Sequence, residues 1–119
     1  MFLAAPSSTD QRLATIAGAC RGFVYAASLM GITGTRDAVG GQAEGLVGRI
    51  RPHTDLPVAV GLGVSNGAQA AQVAVFADGV IVGSAFVRRL LDAADTAAGT
   101  TAVTALTAEL AAGVRRARP

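Results

Sequence analysis

The sequence contains no lysine, one histidine and one cysteine, and only 4% of its 119 residues are aromatic. A single cysteine excludes a disulfide within the chain, and because Cys20 falls in an apolar helical pattern we interpret it as a buried filler. One histidine and one cysteine far apart in sequence cannot supply the ligand cluster of a zinc site, so we predict no metal site. His53 follows Pro52 at a predicted helix end, which indicates a surface loop.

Charge is also scarce, at 15% of residues with a formal net charge of +2. The excess cations lie near the C-terminal end, and no basic stripe with interleaved aromatics occurs, so we predict no nucleic-acid binding. No apolar run approaches the roughly 18 residues of a membrane-spanning helix. The N-terminus lacks the pattern of a secretory signal. We therefore expect no membrane association and a cytoplasmic location.

Hydrophobic residues make up 51% of the chain, and 119 residues suit one domain with a sizeable core, which we take to be residues 1–119. Strands are predicted from four continuous apolar runs, at residues 1–5, 23–27, 58–61 and 80–82. Continuous rather than alternating apolarity indicates strands that are buried on both faces of a parallel sheet. The 15 glycines and the few aromatics favour such an α/β chain over a β-sandwich.

Helical spacing of apolar residues follows each predicted strand. It predicts helices at residues 10–20, 43–50, 67–77, 84–94 and 101–116. Ser7, Ser8 and Thr9 offer N-cap oxygens for the first helix. A glycine-rich stretch at residues 29–41 is predicted as a long mobile loop, residues 95–101 as a connector, and Asp10, Asp37 and Asp78 as caps. The order β-α-β-loop-α-β-α-β-α-α predicts consecutive right-handed βα units.

The strongest chemical signal is a pair of glycine turns after the last two strands. The first is Gly-Leu-Gly-Val-Ser at residues 61–65, and the second is Gly83-Ser84, which leads directly into a short helix. Glycines let backbone N–H groups approach an anion, and a helix N-terminus adds free donors and partial positive charge. Phosphate sites of (β/α)₈ barrels are built in this way after strands 7 and 8. The alternative is that these glycines only form tight turns.

At these residues the chain resembles the C-terminal part of the tryptophan synthase alpha subunit family. The matching segments are FLAAP at residues 2–6, STD at 8–10, GFVY at 22–25, SLMGITG at 28–34, LPVAVGLGVS at 56–65 and ADGVIVGSA at 77–85. The resemblance implies strands 5–8 of a TIM (β/α)₈ barrel, that is, a half-barrel of four parallel strands with covering helices. The combination is specific, although many phosphate-binding barrels share either glycine turn alone.

The family cleaves indole-3-glycerol phosphate to indole and glyceraldehyde 3-phosphate, in complex with a beta subunit that carries pyridoxal phosphate. The resemblance therefore implies a lyase of tryptophan biosynthesis with no cofactor of its own. It assigns Tyr25 and Leu62 to the substrate pocket and Thr33 to a lid. The positions that it implies for binding the substrate phosphate are Gly34, Gly61, Gly63, Gly83 and Ser84.

The chain departs from the family pattern at several points. The family's catalytic glutamate and aspartate follow strands that precede this chain, so we assign no catalytic residue here. Leu29 stands at a lid position that is arginine in some members. Ser65 should begin a helix with an acidic residue three positions later, but Ala68 stands there, so we predict a lost capping box.

We interpret the chain as the phosphate-binding half of this barrel, inactive as a lyase by itself. The second hypothesis is a non-catalytic phosphate-binding or assembly module that pairs with a separate half or with itself, because an open half-barrel exposes two strand edges and an apolar face. A third is another family of phosphate-binding barrels.

Overall fold

The computed structural model describes residues 1–28 and 36–117, and for residues 36–40 it describes the backbone alone. The strands are β1 (Leu3–Ala4), β2 (Val24–Ala27), β3 (Val58–Gly61) and β4 (Gly79–Ile81). The α-helices are α1 (Asp10–Ala19), α2 (Arg36–Ile50), α3 (Gly67–Ala74), α4 (Ser84–Asp92) and α5 (Thr96–Ala117), with a 3₁₀ helix at Arg51–His53. All neighbouring strands pair in parallel in the order β1-β2-β3-β4. The predicted α/β fold with four parallel strands is confirmed.

The core lies between one face of this sheet and the helices. The strand residues on this helix-facing side are at most 1% exposed: Ala4, Val24, Ala26, Val58 and Val60. They pack against apolar side chains of the helices, among them Leu13, Leu46, Ile50 and Val73. Cys20 is buried in the same cluster, as predicted, and its sulfur accepts the backbone N–H of Phe2 at 3.3 Å.

The opposite face of the sheet, which we call the inner face, is less covered. One row of residues crosses it, formed by successive partners in the strand register: Leu3, Tyr25, Ala59 and Gly79. Leu3 is 59% exposed, and the other three are partly exposed. The expectation of burial on both faces is therefore wrong for the described residues, in which no second layer covers this row.

Two predicted helix boundaries are also wrong. Helix α2 begins at Arg36, so the predicted loop ends earlier, and Gly40 and Gly41 lie inside the helix. Glycine costs about 1 kcal/mol per helical position, but α2 gains more by burying Ala43, Leu46, Val47 and Ile50. Helix α5 begins at Thr96 because the Asp95 carboxylate caps it, accepting the Ala98 N–H at 2.8 Å, so residues 96–101 are helical rather than a connector.

The predicted caps have mixed outcomes. Thr9 caps α1, accepting the Arg12 N–H at 3.2 Å, as expected. Asp10 lies in the first turn of α1 and pairs with Arg49 at 2.9 Å. Asp78 is not a helix cap, because its carboxylate accepts the Val58 N–H at 2.9 Å and an Arg51 N–H at 3.0 Å. It thereby fastens the start of β3 to the turn before β4. The side chain of Asp37 lies outside the described residues.

Helices α3 and α5 meet with no side chain between them. An ideal Cβ on Gly113 of α5 would lie 2.1 Å from the carbonyl oxygen of Gly67, the first residue of α3. A Cβ on Gly67 would in turn lie 2.8 Å from the Glu109 carbonyl oxygen. Both glycines are buried. This close approach fixes where the start of α3 lies relative to α5.

We expect Gly113→Ala to destabilise the chain by roughly 3 kcal/mol, because overpacking against a backbone atom forces the two helices apart. Gly48→Ala on α2 is the matched control: no atom lies within 4 Å of its Cβ position. Alanine there should raise stability by about 0.5–1 kcal/mol through its better helix propensity. Urea unfolding followed by circular dichroism measures both, and equal effects of the two variants would contradict the packing described for Gly113.

Candidate phosphate site at the ends of β3 and β4

The two glycine turns follow neighbouring strands and begin at the same position along the strand direction. Gly61 and Ile81 are partners in the parallel register of β3 and β4. Gly63 and Gly83 each lie two residues beyond that pair, so both turns emerge side by side at the carboxyl end of the sheet. This is the edge at which parallel α/β sheets bind their ligands.

Helix α4 begins at this edge with no side-chain cap. Its N-cap is Gly83, and among the described residues no side chain caps the helix. The Gly83 carbonyl accepts the N–H groups of Phe86 and Val87, at 3.0 and 3.3 Å. The N–H groups of Ser84 and Ala85 precede that first turn and have no acceptor within the helix. Gly83 and Ser84 are exposed, and among the described residues no atom beyond the chain neighbours of Gly83 lies within 4 Å of a Cβ built on it.

Helix α3, which follows the first glycine turn, has several of its N-terminal donors bonded to side chains of the protein. The Asn66 side chain caps it by accepting the Gln69 N–H at 2.8 Å. The Gln69 side chain accepts the Ser65 N–H at 2.7 Å, and the Glu109 carboxylate of α5 accepts the Gly67 N–H at 2.7 Å. Three donors at this helix start are therefore occupied by the protein, and Glu109 brings a negative charge that repels an anion.

Ser65 forms no capping box, as predicted, but it is also not the residue that begins the helix. Asn66 caps α3 one residue later, and the Gln69 side chain accepts the N–H of Ser65. The spacing Asn-x-x-Gln is visible in the sequence and would have located the cap. Glu109 had no such signal, because it lies 42 residues from Gly67.

The first turn is built on an unusual backbone conformation. Leu62 has a φ of 113° and Gly63 a φ of 84°, both in the left-handed range that favours glycine. Leu62 is 43% exposed, so its side chain lies at the surface of this edge. Val64 is buried at the end of the turn and anchors it to the core.

Tyr25 reaches the same edge from β2. A Cβ built on Gly61 would lie 3.0 Å from the Tyr25 hydroxyl and 2.8 Å from both Cβ and the carbonyl oxygen of Ile81. Only glycine leaves room for the tyrosine and for β4 at this point. Ser28, directly after β2, donates its N–H to the Gly61 carbonyl at 3.1 Å and ties the ends of the two strands together.

The structure thus brings most of the predicted site residues to one edge. Six of them lie at or next to the carboxyl ends of β2, β3 and β4: Tyr25, Gly61, Leu62, Gly63, Gly83 and Ser84. Thr33 and Gly34 lie outside the described residues. His53 is exposed in the 3₁₀ helix, on a connection that precedes β3, as its surface assignment predicted.

In the part of the chain that the structure describes, no acidic residue directly follows a strand, and the carboxylate of Glu109 near this edge is bonded to the Gly67 N–H. Each described strand is followed by an apolar or small residue: Ala5, Ser28, Leu62 and Val82. The described residues contain no cluster of histidine, cysteine and carboxylate side chains suited to a metal ion. They also contain no helix that is long and apolar enough to cross a membrane. The described strand ends therefore offer backbone donors and apolar surface, and no carboxylate directly follows them.

Comparison with known proteins identifies the family of this half-barrel. The family model described as tryptophan synthase alpha chain matches residues 1–115. The chain belongs to the tryptophan synthase alpha chain family. The resemblance drawn from the sequence motifs is confirmed, and so is the half-barrel fold, with the chain corresponding to the C-terminal part of the family.

Individual relatives of the family show how much of it the chain represents. The alpha chain of Streptomyces coelicolor is 69% identical over 115 residues, which are 97% of this chain and 42% of the relative. The alpha chain of Thermobifida fusca is 61% identical over 98% of this chain and 44% of its own length. A crystal structure of tryptophan synthase from M. tuberculosis superposes with a TM-score of 0.79 at 53% identity, covering 96% of this chain and 39% of that one. The chain spans less than half the length of these relatives.

We expect Gly61→Ala to destabilise the chain by about 1–3 kcal/mol, because the added methyl collides with the Ile81 backbone and the Tyr25 hydroxyl. Gly18→Ala in α1 should leave stability unchanged or slightly raised, because its Cβ position is open and alanine favours the helix. Thermal unfolding monitored by circular dichroism compares the two. A stable Gly61→Ala variant would show that Tyr25 does not pack on this strand end.

Proposed function

We propose that this chain supplies the phosphate-binding half of an indole-3-glycerol phosphate site. One observation carries the proposal: α4 begins without a side-chain cap beside a glycine turn, while the neighbouring α3 has its N-terminus occupied by Asn66, Gln69 and Glu109. Of the two helix starts that follow the glycine turns, that of α4 has neither a capping side chain nor a carboxylate bonded to it in the described residues. The phosphate then lies between the N–H groups of Gly83 and Ser84 and the turn at Gly63.

The electrostatics of α4 favour the phosphate. A helix N-terminus carries about half a unit of positive charge, and unpaired N–H groups bind phosphate oxygens directly. Gly83 has no Cβ, so a phosphate can approach the backbone closely. Gly34, on the segment outside the described residues, is proposed as a further contact to the same group.

The apolar part of the substrate is proposed to lie on the inner face. Tyr25 is half-buried on that face, with its hydroxyl near Gly61, and Leu62 presents its side chain at the same edge. An indole ring placed against these two residues would extend away from the phosphate toward the uncovered inner face. Thr33 is proposed as part of a lid over this position.

The chemistry of the whole enzyme is proposed from the family. In that proposal the chain is part of a lyase of tryptophan biosynthesis in the cytoplasm, working with a beta subunit that holds the pyridoxal phosphate; the alpha chain itself has no cofactor. Cleavage of the carbon–carbon bond needs proton transfer at the indole and the glycerol moiety, and the described strand ends hold no carboxylate for it. We therefore propose that this chain binds and orients substrate while catalytic carboxylates come from elsewhere in the full-length enzyme.

A second candidate function rests on the uncovered inner face. Leu3 is 59% exposed there, which suits a non-catalytic module that assembles with another half-barrel. Phosphate binding without preference for an indole-containing ligand, over inorganic phosphate, would favour this module or another phosphate-binding barrel.

Titration with inorganic phosphate and with an indole-phosphate analogue should shift the amide resonances of Gly63, Gly83 and Ser84 in two-dimensional NMR spectra. We expect Gly63→Ala to weaken phosphate binding about tenfold, because alanine at a φ of 84° costs roughly 1–2 kcal/mol and displaces the turn. Gly22→Ala is the matched control, since Gly22 has the same φ of 84° away from the site. Shifts at the start of α3 instead of α4 would contradict the proposed site.

The purified 119-residue chain should release no indole from indole-3-glycerol phosphate above a blank without protein. Each missing acid or base removes about 10²–10⁴ in rate, and the described strand ends supply neither. A full-length relative assayed in parallel confirms that the assay detects turnover. Indole release that rises with the concentration of the chain would overturn the assignment of catalysis to residues outside it.

A further inference from the structure

Two helix N-termini lie at the edge of the sheet where the phosphate is proposed to bind. Helices α3 and α4 follow β3 and β4, which are parallel neighbours, so both helices begin near the carboxyl ends of adjacent strands. Neither helix has an acidic residue in its own first turn. An anion attracted to this edge therefore meets two positively polarised helix starts, and a carboxylate from a third helix distinguishes them.

That carboxylate belongs to Glu109 of α5 and occupies the start of α3. Its Oε2 accepts the Gly67 N–H at 2.7 Å, a distance typical of a hydrogen bond to an ionised group. Gly67 is the first residue of α3, so its N–H has no acceptor within the helix. The carboxylate thus lies where an oxygen of a bound anion would lie at an open helix N-terminus.

The packing of α5 on α3 holds the carboxylate in this position. Glu109 and Gly113 are four residues apart and therefore share one face of α5. Gly113 lets the α5 backbone lie against the start of α3, because a Cβ at this position would collide with the Gly67 carbonyl oxygen. Since α5 packs directly on Gly67, the Glu109 side chain is held beside its donor.

The start of α4 differs in charge from that of α3. Its N-cap is Gly83, and among the described residues no side chain caps it. A phosphate near α3 meets the negative charge of Glu109 beside the helix N-terminus, whereas α4 has no acidic residue in its first turn. Like charges at short range repel, so the phosphate is disfavoured at α3 and attracted to α4.

We propose that Glu109 is a specificity-determining residue of the phosphate site, which directs the anion to α4 by acting as an internal anionic ligand of α3. The direction to α4 rests on the proposed function, whereas the closure of α3 rests on the bond to Gly67 alone. Removal of the carboxylate then leaves the N–H groups of Gly67 and Ala68 able to bind a small oxyanion. Glu109 and Ala68 are both exposed, so the vacated position can be reached from solvent.

Titration of the purified chain with inorganic phosphate, followed by two-dimensional NMR at constant ionic strength, tests the proposal. We expect Glu109→Ala to give saturable shifts of the Gly67 and Ala68 amides that are at least about fivefold larger than in the parent chain. Glu109→Gln should resemble the parent, because the amide oxygen still accepts the Gly67 N–H. Glu44→Ala is the matched control and should also resemble the parent: Glu44 is the other glutamate of the sequence and is exposed on α2.

Thermal unfolding in sodium formate tests the same position with a carboxylate that has no side chain. Glu109→Ala should lower the melting temperature by about 5–10 °C, because it removes a hydrogen bond to a charged group. Formate should raise the melting temperature of Glu109→Ala more than sodium chloride does at the same ionic strength, since it binds the folded state. The parent chain and Glu109→Gln should show no such difference between the two salts.

The outcomes separate this inference from the proposed function. A folded Glu109→Ala chain without phosphate shifts at α3 would overturn the role of Glu109, and so would one that stays unfolded in both phosphate and formate. Glu109→Gln that behaves like Glu109→Ala would overturn it as well. A parent chain without shifts at α4, combined with shifts at α3 in Glu109→Ala, would overturn the proposed phosphate site and support the closure of α3. Shifts at α3 in the parent chain would overturn both.

Discussion

The contact between Gly113 of α5 and Gly67 of α3 is the constraint on which the candidate site depends. With no side chain between them, the two helices approach closely enough for Glu109 to reach the Gly67 N–H at 2.7 Å. That bond, with the cap made by Asn66, occupies the start of α3. The start of α4 has no such side-chain partners among the described residues, and we therefore place the proposed anion site there.

Much of the fold could be predicted because the dominant signal is local. Continuous apolar runs located all four strands, and the register then brought both glycine turns to one edge. The start of α2 was missed because a buried face that includes Leu46 and Ile50 outweighs the poor propensity of its glycines. The cap by Glu109 could not be foreseen, since it joins residues 42 positions apart through a helix crossing that no periodicity encodes.

The proposed function assigns substrate binding, and not proton transfer, to the described half-barrel. The carboxyl edge of β3 and β4 provides backbone N–H donors and apolar surface, which suit holding a phosphate and an aromatic ring. Groups that move protons are missing from the described strand ends, where Leu62 and Val82 stand. Under the proposed function, binding of the phosphate belongs to this part of the family's barrel, and proton transfer belongs to residues elsewhere in it.

Leu62 gives this edge one further property. A leucine at a φ of 113° holds a conformation that glycine adopts freely and that other residues adopt at a cost of roughly 1–3 kcal/mol. The glycines at positions 61 and 63 do not relieve that cost, because the angle belongs to the leucine itself. A turn selected only to reverse the chain would be served better by a third glycine. The fold is therefore less stable with leucine than with glycine at this point, but it keeps an apolar side chain there. Residue 62 thus determines which groups the turn contacts rather than how the backbone bends.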